Sequence, residues 1–207
     1  MAGERSHWEA SYSKKTPEEV SWYEPRPQRS LELIQAAGLG HETRILDVGG
    51  GASSLAAQLL GMGYTDVTVA DISPVALAHA RAKLGGDAAR VAWIEADVRT
   101  HDFGRRYDLW HDRAVFHFMV SPADRADYLD VLRRTLRPGG HLIIATFGPQ
   151  GPTQCSGLPV QRYSTDELQS VLGEDFALAS SNLVTHRTPS GASQQFLYAR
   201  LLRRPAD

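Results

Sequence analysis

The sequence contains little cysteine, no long apolar run and almost no net charge. Its single cysteine, Cys155, excludes an intrachain disulfide and leaves no thiolate cluster for a metal ion. No run approaches the roughly 20 apolar residues that a membrane-spanning helix needs. The first residues also lack an apolar signal segment. We therefore expect a soluble, cytoplasmic protein with no bound metal and no membrane partner.

The charge balance bears on the partner class. The formal net charge is −2 at neutral pH, so nothing draws the chain as a whole toward nucleic acid or an anionic membrane. Scattered basic pairs such as Arg105-Arg106 are typical of solvated surfaces, and a nucleic-acid substrate is disfavoured. A chain of 207 residues suits one domain, and we expect a single domain over residues 1–207.

The first 27 residues differ from the rest of the chain. They are polar with interspersed aromatics, among them Trp8, Tyr12 and Trp22, and they end in a proline-rich stretch. This composition predicts an N-terminal arm or lid over residues 1–27, followed by a core over residues 28–207. Two interpretations of the aromatics remain open, since they either close over a bound ligand or pack the arm against the sheet edge.

A glycine-rich turn is the most informative feature of the core. The apolar run 44–46 ends in Asp47 and is followed by three glycines, Gly49 to Gly51, and then by a helical pattern from Ser53. Glycines in such a turn let the backbone approach a bulky ligand. About 20 residues later a second apolar run ends in Asp71, the spacing at which nucleotide-binding folds place an acid for ribose hydroxyls.

Strand and helix patterns alternate through most of the chain. Ser73-Pro74 and Ser121-Pro122 are typical helix starts, and they separate apolar runs at 91–96, 107–113 and 141–147. This alternation predicts a parallel sheet with helices on both faces.

The C-terminal part departs from this alternation. A loop at 148–159 and a helix begun by Ser164 precede two strand-like runs, 176–185 and 194–201, whose short connection requires antiparallel pairing. The predicted fold class is therefore α/β, a Rossmann-like doubly wound sheet of about seven strands, mostly parallel with a C-terminal antiparallel hairpin.

In residues 40–147 the sequence resembles the class I S-adenosylmethionine-dependent methyltransferases. That family's motif, Asp/Glu-x-Gly-x-Gly-x-Gly, matches Asp47, Gly49 and Gly51, while Ser53 stands where the last glycine is usual. The resemblance implies S-adenosyl-L-methionine as cofactor and a role for the first acid near the methionine ammonium. It also implies that His7, Trp8 and Tyr12 of the arm lie over the cofactor, and Trp22 is predicted to join them as a further aromatic residue of the arm.

The remaining motifs take roles by the same resemblance. It implies that Asp71, with Ile72, meets the ribose hydroxyls and that Asp97, with Val98, meets the adenine edge. Asp112 and Arg113 are expected beside the methionine part, and residues 136–140 are expected to form the turn into the fifth strand. All of these are binding roles.

The reaction that the resemblance implies is in-line transfer of a methyl group, and a small-molecule acceptor is favoured because no recognition domain is appended. His117, just after the fourth strand, is the candidate general base, because a neutral imidazole accepts protons near pH 7. A core histidine held by local hydrogen bonds is the alternative interpretation.

Three other functions stay open at this point: a protein-lysine methyltransferase, a nicotinamide-dependent oxidoreductase, and a non-catalytic ligand-binding relative. The oxidoreductase hypothesis is weakened because the pattern from Gly49 ends in Ser54 where that fingerprint has glycine.

Overall fold

The apolar runs of the sequence form the strands of a computed structural model that describes residues 2–14 and 19–205. The strands in chain order are β1 Arg44–Val48, β2 Asp66–Asp71, β3 Val91–Glu95, β4 Tyr107–Arg113, β5 Leu136–Phe147, β6 Gln154–Cys155, β7 Leu158–Pro159, β8 Phe176–Arg187 and β9 Ser193–Arg203. Seven of them form one sheet in the order β3-β2-β1-β4-β5-β9-β8, while β6 and β7 pair separately.

The pairing directions confirm the predicted fold class. The neighbouring pairs among β1 to β5 are parallel, whereas β9 pairs antiparallel with both β5 and β8. Inserting β9 between β5 and β8 makes the C-terminal hairpin the edge of the main sheet. The fold is thus a Rossmann-like doubly wound sheet with a C-terminal antiparallel hairpin.

Helices begin where the sequence places capping residues. The helices are α1 Ala2–Lys14, α2 Gln28–Gln35, α3 Leu55–Gly61, α4 Pro74–Leu84, α5 Pro122–Thr135 and α6 Thr165–Leu172. The Ser73 and Ser121 hydroxyls accept from backbone amides three residues later, at 3.2 and 3.0 Å. Ser164 and Glu167 form a reciprocal capping box at the start of α6. No helix within the described ranges combines the length and apolarity needed to cross a bilayer.

Alternation along β1 divides the core between the two faces of the sheet. Leu46 packs in a cluster with Tyr128 and Leu132 of α5, whereas Ile45 packs in a second cluster with Leu31 of α2 and Leu59 of α3. The helices therefore cover both faces of the sheet, as expected for buried parallel strands.

Some predicted boundaries were wrong. The expected turn at 136–140 lies inside β5, because Leu136 already pairs with Tyr107 and the extra residues form a bulge before His141 pairs with Leu109. The helix predicted from Ser53 begins at Leu55. The predicted loop 148–159 contains the β6–β7 hairpin, and α1 occupies the first half of the predicted arm.

Candidate functional site

The carboxyl ends of β1, β2 and β4 meet where the strand order reverses. From β1 the chain adds β2 and β3 on one side and β4 and β5 on the other. Asp47 of β1 pairs in register with Val69 of β2 and with His111 of β4. In open α/β sheets, ligands bind in the crevice at such a switch point.

A cavity of about 910 Å³, counting its open mouth, lies at this edge of the sheet. We call it the main cavity. The predicted site residues that line it are Tyr12, Trp22, Gly49, Asp71, Ile72, Asp97, Val98 and Arg113.

A smaller cavity adjoins the main cavity, because Tyr12, Trp22, Gly49 and Arg113 line both. We call it the side cavity. It holds the predicted residues Asp47 and Ser53, and it is also lined by Glu24 and His111. Residues predicted from separate motifs therefore surround two adjacent cavities.

The glycine-rich turn needs its glycines because two carboxylates pass close to the backbone. A Cβ atom on Gly50 would collide with Oδ2 of Asp47, and one on Gly51 would lie 2.5 Å from Oδ2 of Asp71. Gly51 lines neither cavity among the described residues, yet its amide donates to the Asp71 carboxylate. Gly49 ties the turn to β2, since its amide donates to the Ala70 carbonyl at 2.7 Å.

Asp47 is held by a buried hydrogen-bond chain. His111 Nδ1 lies 2.7 Å from Asp47 Oδ1, and His111 Nε2 lies 2.8 Å from the hydroxyl of Ser30 on α2. The other carboxylate oxygen of Asp47, Oδ2, is buried and has no hydrogen-bond partner. Buried acceptors of this kind are normally satisfied, so this atom is available to a donor from a ligand.

Asp71 is buried at the end of β2. Its Oδ1 accepts from the Ser73 amide at 2.8 Å. Burial raises the pKa of this carboxyl to about 6, against the opposing effect of the backbone donors and with a contribution from the nearby charge of Asp47. The carboxylate is thus ionised at neutral pH but is easier to protonate than a surface aspartate.

Asp97 lines the main cavity, and both of its carboxylate oxygens already accept hydrogen bonds. Arg99 donates to Oδ1 through Nε at 2.9 Å and to Oδ2 through Nη2 at 2.6 Å. Partial burial acts to raise the pKa of Asp97, but the hydrogen bonds and charge of Arg99 outweigh it and lower that pKa. Arg99 also pairs with Asp124 of α5, which fixes this wall of the cavity.

The N-terminal arm covers the main cavity with aromatic rings. The ring of Trp8 meets Trp22 at a centroid distance of 5.8 Å and Phe118 at 5.1 Å, both edge to face. Tyr12 meets Trp22 in the same way at 6.1 Å. The aromatics of the arm thus line the main cavity and also pack against one another and Phe118. That they close over a ligand stays a prediction.

Arg113 connects the arm to the sheet. Its guanidinium donates to the Tyr198 hydroxyl at 2.9 Å, to the Trp22 carbonyl at 2.8 Å and to Oε1 of Glu24 at 3.0 Å. It also lies 4.9 Å from the ring centroid of Phe196. The predicted residue is thus present at both cavities, where it holds the arm in place.

Asp112 lies away from the cavities, contrary to expectation. Strand alternation turns His111 toward the side cavity, so Asp112 points into the opposite face of the sheet. There it accepts from the Tyr128 hydroxyl at 2.6 Å and from the Val115 amide at 3.0 Å. Burial raises the pKa of Asp112 to about 6. Among the described residues, Asp112 lines neither cavity, although the Val115 that donates to it lines the main cavity.

His117 also departs from its predicted role. The side chain is fully buried, packs against Phe147 and lines neither cavity among the described residues. Its Nδ1 accepts from the Phe147 amide at 3.3 Å. Burial, aided by the charge of Arg113, lowers the pKa of His117 to about 3, so the imidazole stays neutral. This arrangement matches the alternative of a core histidine.

Several cavity residues were not predicted as site residues. They include Glu24, Phe118 and Leu158, whereas Trp8 belongs to the predicted arm aromatics and His111 and Cys155 were weaker candidates for the acceptor side. Cys155 is buried, which raises its thiol pKa to about 11 and keeps it protonated. The aromatic pattern of the arm is a signal that finds Trp8, whereas Leu158 depends on the β6–β7 hairpin that the sequence pattern did not reveal.

A family described as "Methyltransferase domain" matches residues 45–140. Among curated proteins, the ubiquinone/menaquinone biosynthesis C-methyltransferase UbiE of Paracoccus denitrificans (strain Pd 1222) is 34% identical over 124 residues, which cover 58% of this chain and 48% of that protein. Malonyl-[acyl-carrier protein] O-methyltransferase of Paenibacillus sp. (strain JDR-2) is 27% identical over 126 residues, 58% of this chain and 45% of that protein. The chain thus spans about half the length of these curated relatives.

Solved structures share the fold over nearly the whole chain. The 1,6-didemethyltoxoflavin-N1-methyltransferase of Burkholderia thailandensis, solved with 1,6-didemethyltoxoflavin and S-adenosylhomocysteine, has a TM-score of 0.75 at 24% identity and covers 99% of this chain and 88% of its own. A SAM-dependent methyltransferase from Anabaena variabilis ATCC 29413 has a TM-score of 0.75 at 15% identity, with coverage of 97% and 95%.

Proposed function

We propose that the chain is a class I S-adenosylmethionine-dependent methyltransferase that transfers a methyl group to a small-molecule acceptor. The observation that carries the proposal is the convergence of Asp47 and Asp71, at the ends of adjacent strands, on two adjacent cavities beside the glycine turn. The proposal treats residues 1–207 as one domain, with residues 1–27 as a lid on the core 28–207. A cytoplasmic location belongs to it as well and suits a chain with one buried cysteine.

The residues present fit S-adenosylmethionine. Oδ2 of Asp47 is a buried acceptor without a partner, and Gly50 leaves open the space beside it that a Cβ would fill. In this proposal Asp47 meets the ammonium group, while Asp71 and Ile72 meet the ribose. Val98 and the Asp97 wall, fixed by Arg99, border the adenine.

When bound, the cofactor supplies an electrophilic methyl on a sulfonium whose leaving group is a neutral thioether. The chain's task is to hold an acceptor in line with that bond and to exclude water, which contributes on the order of 7–11 kcal/mol in the best cases. Trp8 and Trp22 exclude water, and their π faces suit a neighbouring sulfonium. His117 and Asp112 have no part in this mechanism, since neither contacts the cavities.

The walls of the main cavity support a small acceptor. Opposite the strand ends the cavity is bounded by Trp8 of the arm, by Phe118 and Met119 after β4, and by Cys155 and Leu158 of the small hairpin. These side chains are apolar or neutral and enclose a chamber, whereas a peptide side chain would need an open groove. The lining therefore favours a small, largely apolar acceptor.

Isothermal titration calorimetry tests the cofactor assignment. We expect S-adenosylmethionine and S-adenosylhomocysteine to bind and nicotinamide dinucleotides not to bind. Absence of binding by both adenosyl compounds would overturn the proposal.

A screen of thiols, phenols, amines and carboxylates with radiolabelled methyl donor then identifies the acceptor, with protein extract included. Label found only in macromolecules would contradict the small-molecule assignment.

A further inference from the structure

Two carboxylates line the side cavity, and each has one oxygen that lacks a hydrogen-bond partner. Asp47 is 2% exposed, and its Oδ2 is buried and unpaired. Glu24 comes from the arm, and its Oε2 is likewise buried and unpaired. Leaving a buried acceptor unpaired costs free energy, so a pair of them in one space indicates a ligand with several donors.

The surroundings of Glu24 leave only Oε2 for a ligand. Oε1 accepts from Nη2 of Arg113 at 3.0 Å and lies 3.5 Å from Nδ1 of His186. Burial acts to raise the pKa of Glu24, but hydrogen bonds and charges from His186 and Arg113 outweigh it and lower that pKa. Glu24 is therefore ionised at neutral pH.

The charges of the side cavity favour a cation. Arg113 forms an ion pair with Glu24, so its positive charge balances the charge of only one of the two carboxylates. Asp47 is hydrogen-bonded to His111 through Oδ1, which leaves Oδ2 directed at the glycine turn. An ammonium group carries one positive charge and three donors, which is at least one donor for each of the two free oxygens.

We propose that Glu24 of the arm, together with Asp47 of β1, binds the ammonium group of the cofactor's amino-acid part. This inference rests on the proposed function, because it takes S-adenosylmethionine as the ligand. Its new content is that the arm contributes a binding carboxylate. The Glu24 carboxylate of the arm then meets the amino-acid part of the ligand, and adenosine compounds without that part do not engage this carboxylate.

The test compares two ligands that differ in the amino-acid part. S-adenosylhomocysteine carries the ammonium group, whereas 5′-methylthioadenosine has the same nucleoside without it. Calorimetry of the full chain gives the Kd of each ligand for the wild type and for Glu24→Gln. We expect the substitution to raise the Kd of S-adenosylhomocysteine by about ten- to hundredfold, as for loss of a charge-assisted hydrogen bond. The Kd of 5′-methylthioadenosine should rise by less than about threefold.

Two further variants separate binding from arm docking. Glu32→Gln removes an exposed carboxylate on α2 that pairs with Arg29, and we expect no change in either Kd. His186→Gln removes the ring that contacts Glu24 and the Ser21 carbonyl, and keeps Oε2. Because this substitution loosens the arm, it should raise the Kd of both ligands by similar factors.

The outcomes distinguish this inference from the proposed function. Equal losses for both ligands in Glu24→Gln, or no loss for either, would overturn the ammonium role while leaving the cofactor assignment intact. A wild type that binds neither ligand would overturn both. Circular dichroism and the unfolding midpoint of each variant confirm that Kd is measured on folded protein.

Discussion

Replacing Asp71 by Asn tests how burial of this carboxylate affects the fold. The side chain is 7% exposed, and burial raises its pKa from 3.8 to about 6. A rise of about two pH units corresponds to about 3 kcal/mol at 1.36 kcal/mol per unit. Because the folded-state pKa is raised, the penalty is present above pH 6 and disappears as the pH falls from about 6 toward 3.8.

The Asn variant cannot ionise, so its stability relative to the wild type should rise as the pH rises. We expect the free energy of unfolding of the variant, minus that of the wild type, to be up to about 3 kcal/mol larger at pH 7.5 than near pH 4. Near pH 4 the variant should be the less stable protein, because the Asn amide has one acceptor oxygen where Asp71 accepts from the amides of Ser73 and Gly51. Urea denaturation across this range measures the difference between the two proteins. Asp112 also has a pKa of about 6, but it is common to both proteins and cancels in the comparison.

The same substitution should also weaken binding of the ligand. In the proposed function Asp71 accepts from the ribose hydroxyls, so its replacement is expected to cost about 1–3 kcal/mol of binding free energy for S-adenosylhomocysteine. Asp66→Asn is the matched control, since Asp66 lies at the other end of β2 and pairs with exposed Arg105. We expect that control to change stability by less than about 1 kcal/mol and affinity not at all.

Two results would refute this reasoning separately. If the difference in stability between Asp71→Asn and the wild type is the same at pH 4 and at pH 7.5, burial does not penalise the ionised carboxylate. If the affinity of the variant for S-adenosylhomocysteine equals that of the wild type, Asp71 is not part of the cofactor site. A variant that gains relative stability with rising pH and binds the ligand more weakly is the expected combination.

Three other substitutions test the remaining contacts. His117→Asn should lower the methyl-transfer rate by less than about tenfold once an acceptor is known, since a general base contributes about 10²–10⁴-fold; a larger loss in folded protein would restore the base hypothesis. Arg113→Met should reduce the free energy of unfolding by about 3–5 kcal/mol because it leaves Glu24 buried without its cation; urea denaturation with little change would contradict the ion pair's role. Tyr128→Phe should cost about 1–3 kcal/mol by removing a donor to Asp112, with calorimetry showing unchanged cofactor affinity; a loss of affinity would connect Asp112 to the site.

Local chemistry made much of the fold predictable. The Ser-Pro pairs at 73 and 121 begin helices because a serine hydroxyl and a first-turn proline suit a helix start in any tertiary context. The short connection between the last two long strands required antiparallel pairing, and β8 and β9 pair in that way. The glycine turn was recognisable because close approach of Asp47 and Asp71 demands it.

Side-chain direction and distant partners were not predictable in this way. Alternation shows that His111 and Asp112 face opposite sides of the sheet, but the sequence does not say which side carries the cavity. The pairing of Arg113 with Glu24 joins positions 89 residues apart, which no local pattern encodes. The β6–β7 hairpin has two residues per strand, too few for a periodic signal.

The main cavity is lined partly by the central sheet and partly by the separate β6–β7 hairpin, and this bears on how its specificity can be changed. Asp71 and Asp97 come from or follow strands of the central sheet, whereas Cys155 and Leu158 belong to a hairpin that makes no sheet pairing with it. Grafting a different hairpin between the end of β5 and α6 would reshape one wall while the sheet keeps its registers. In the proposed function, the wall that meets the acceptor can therefore change while the wall that meets the cofactor stays the same.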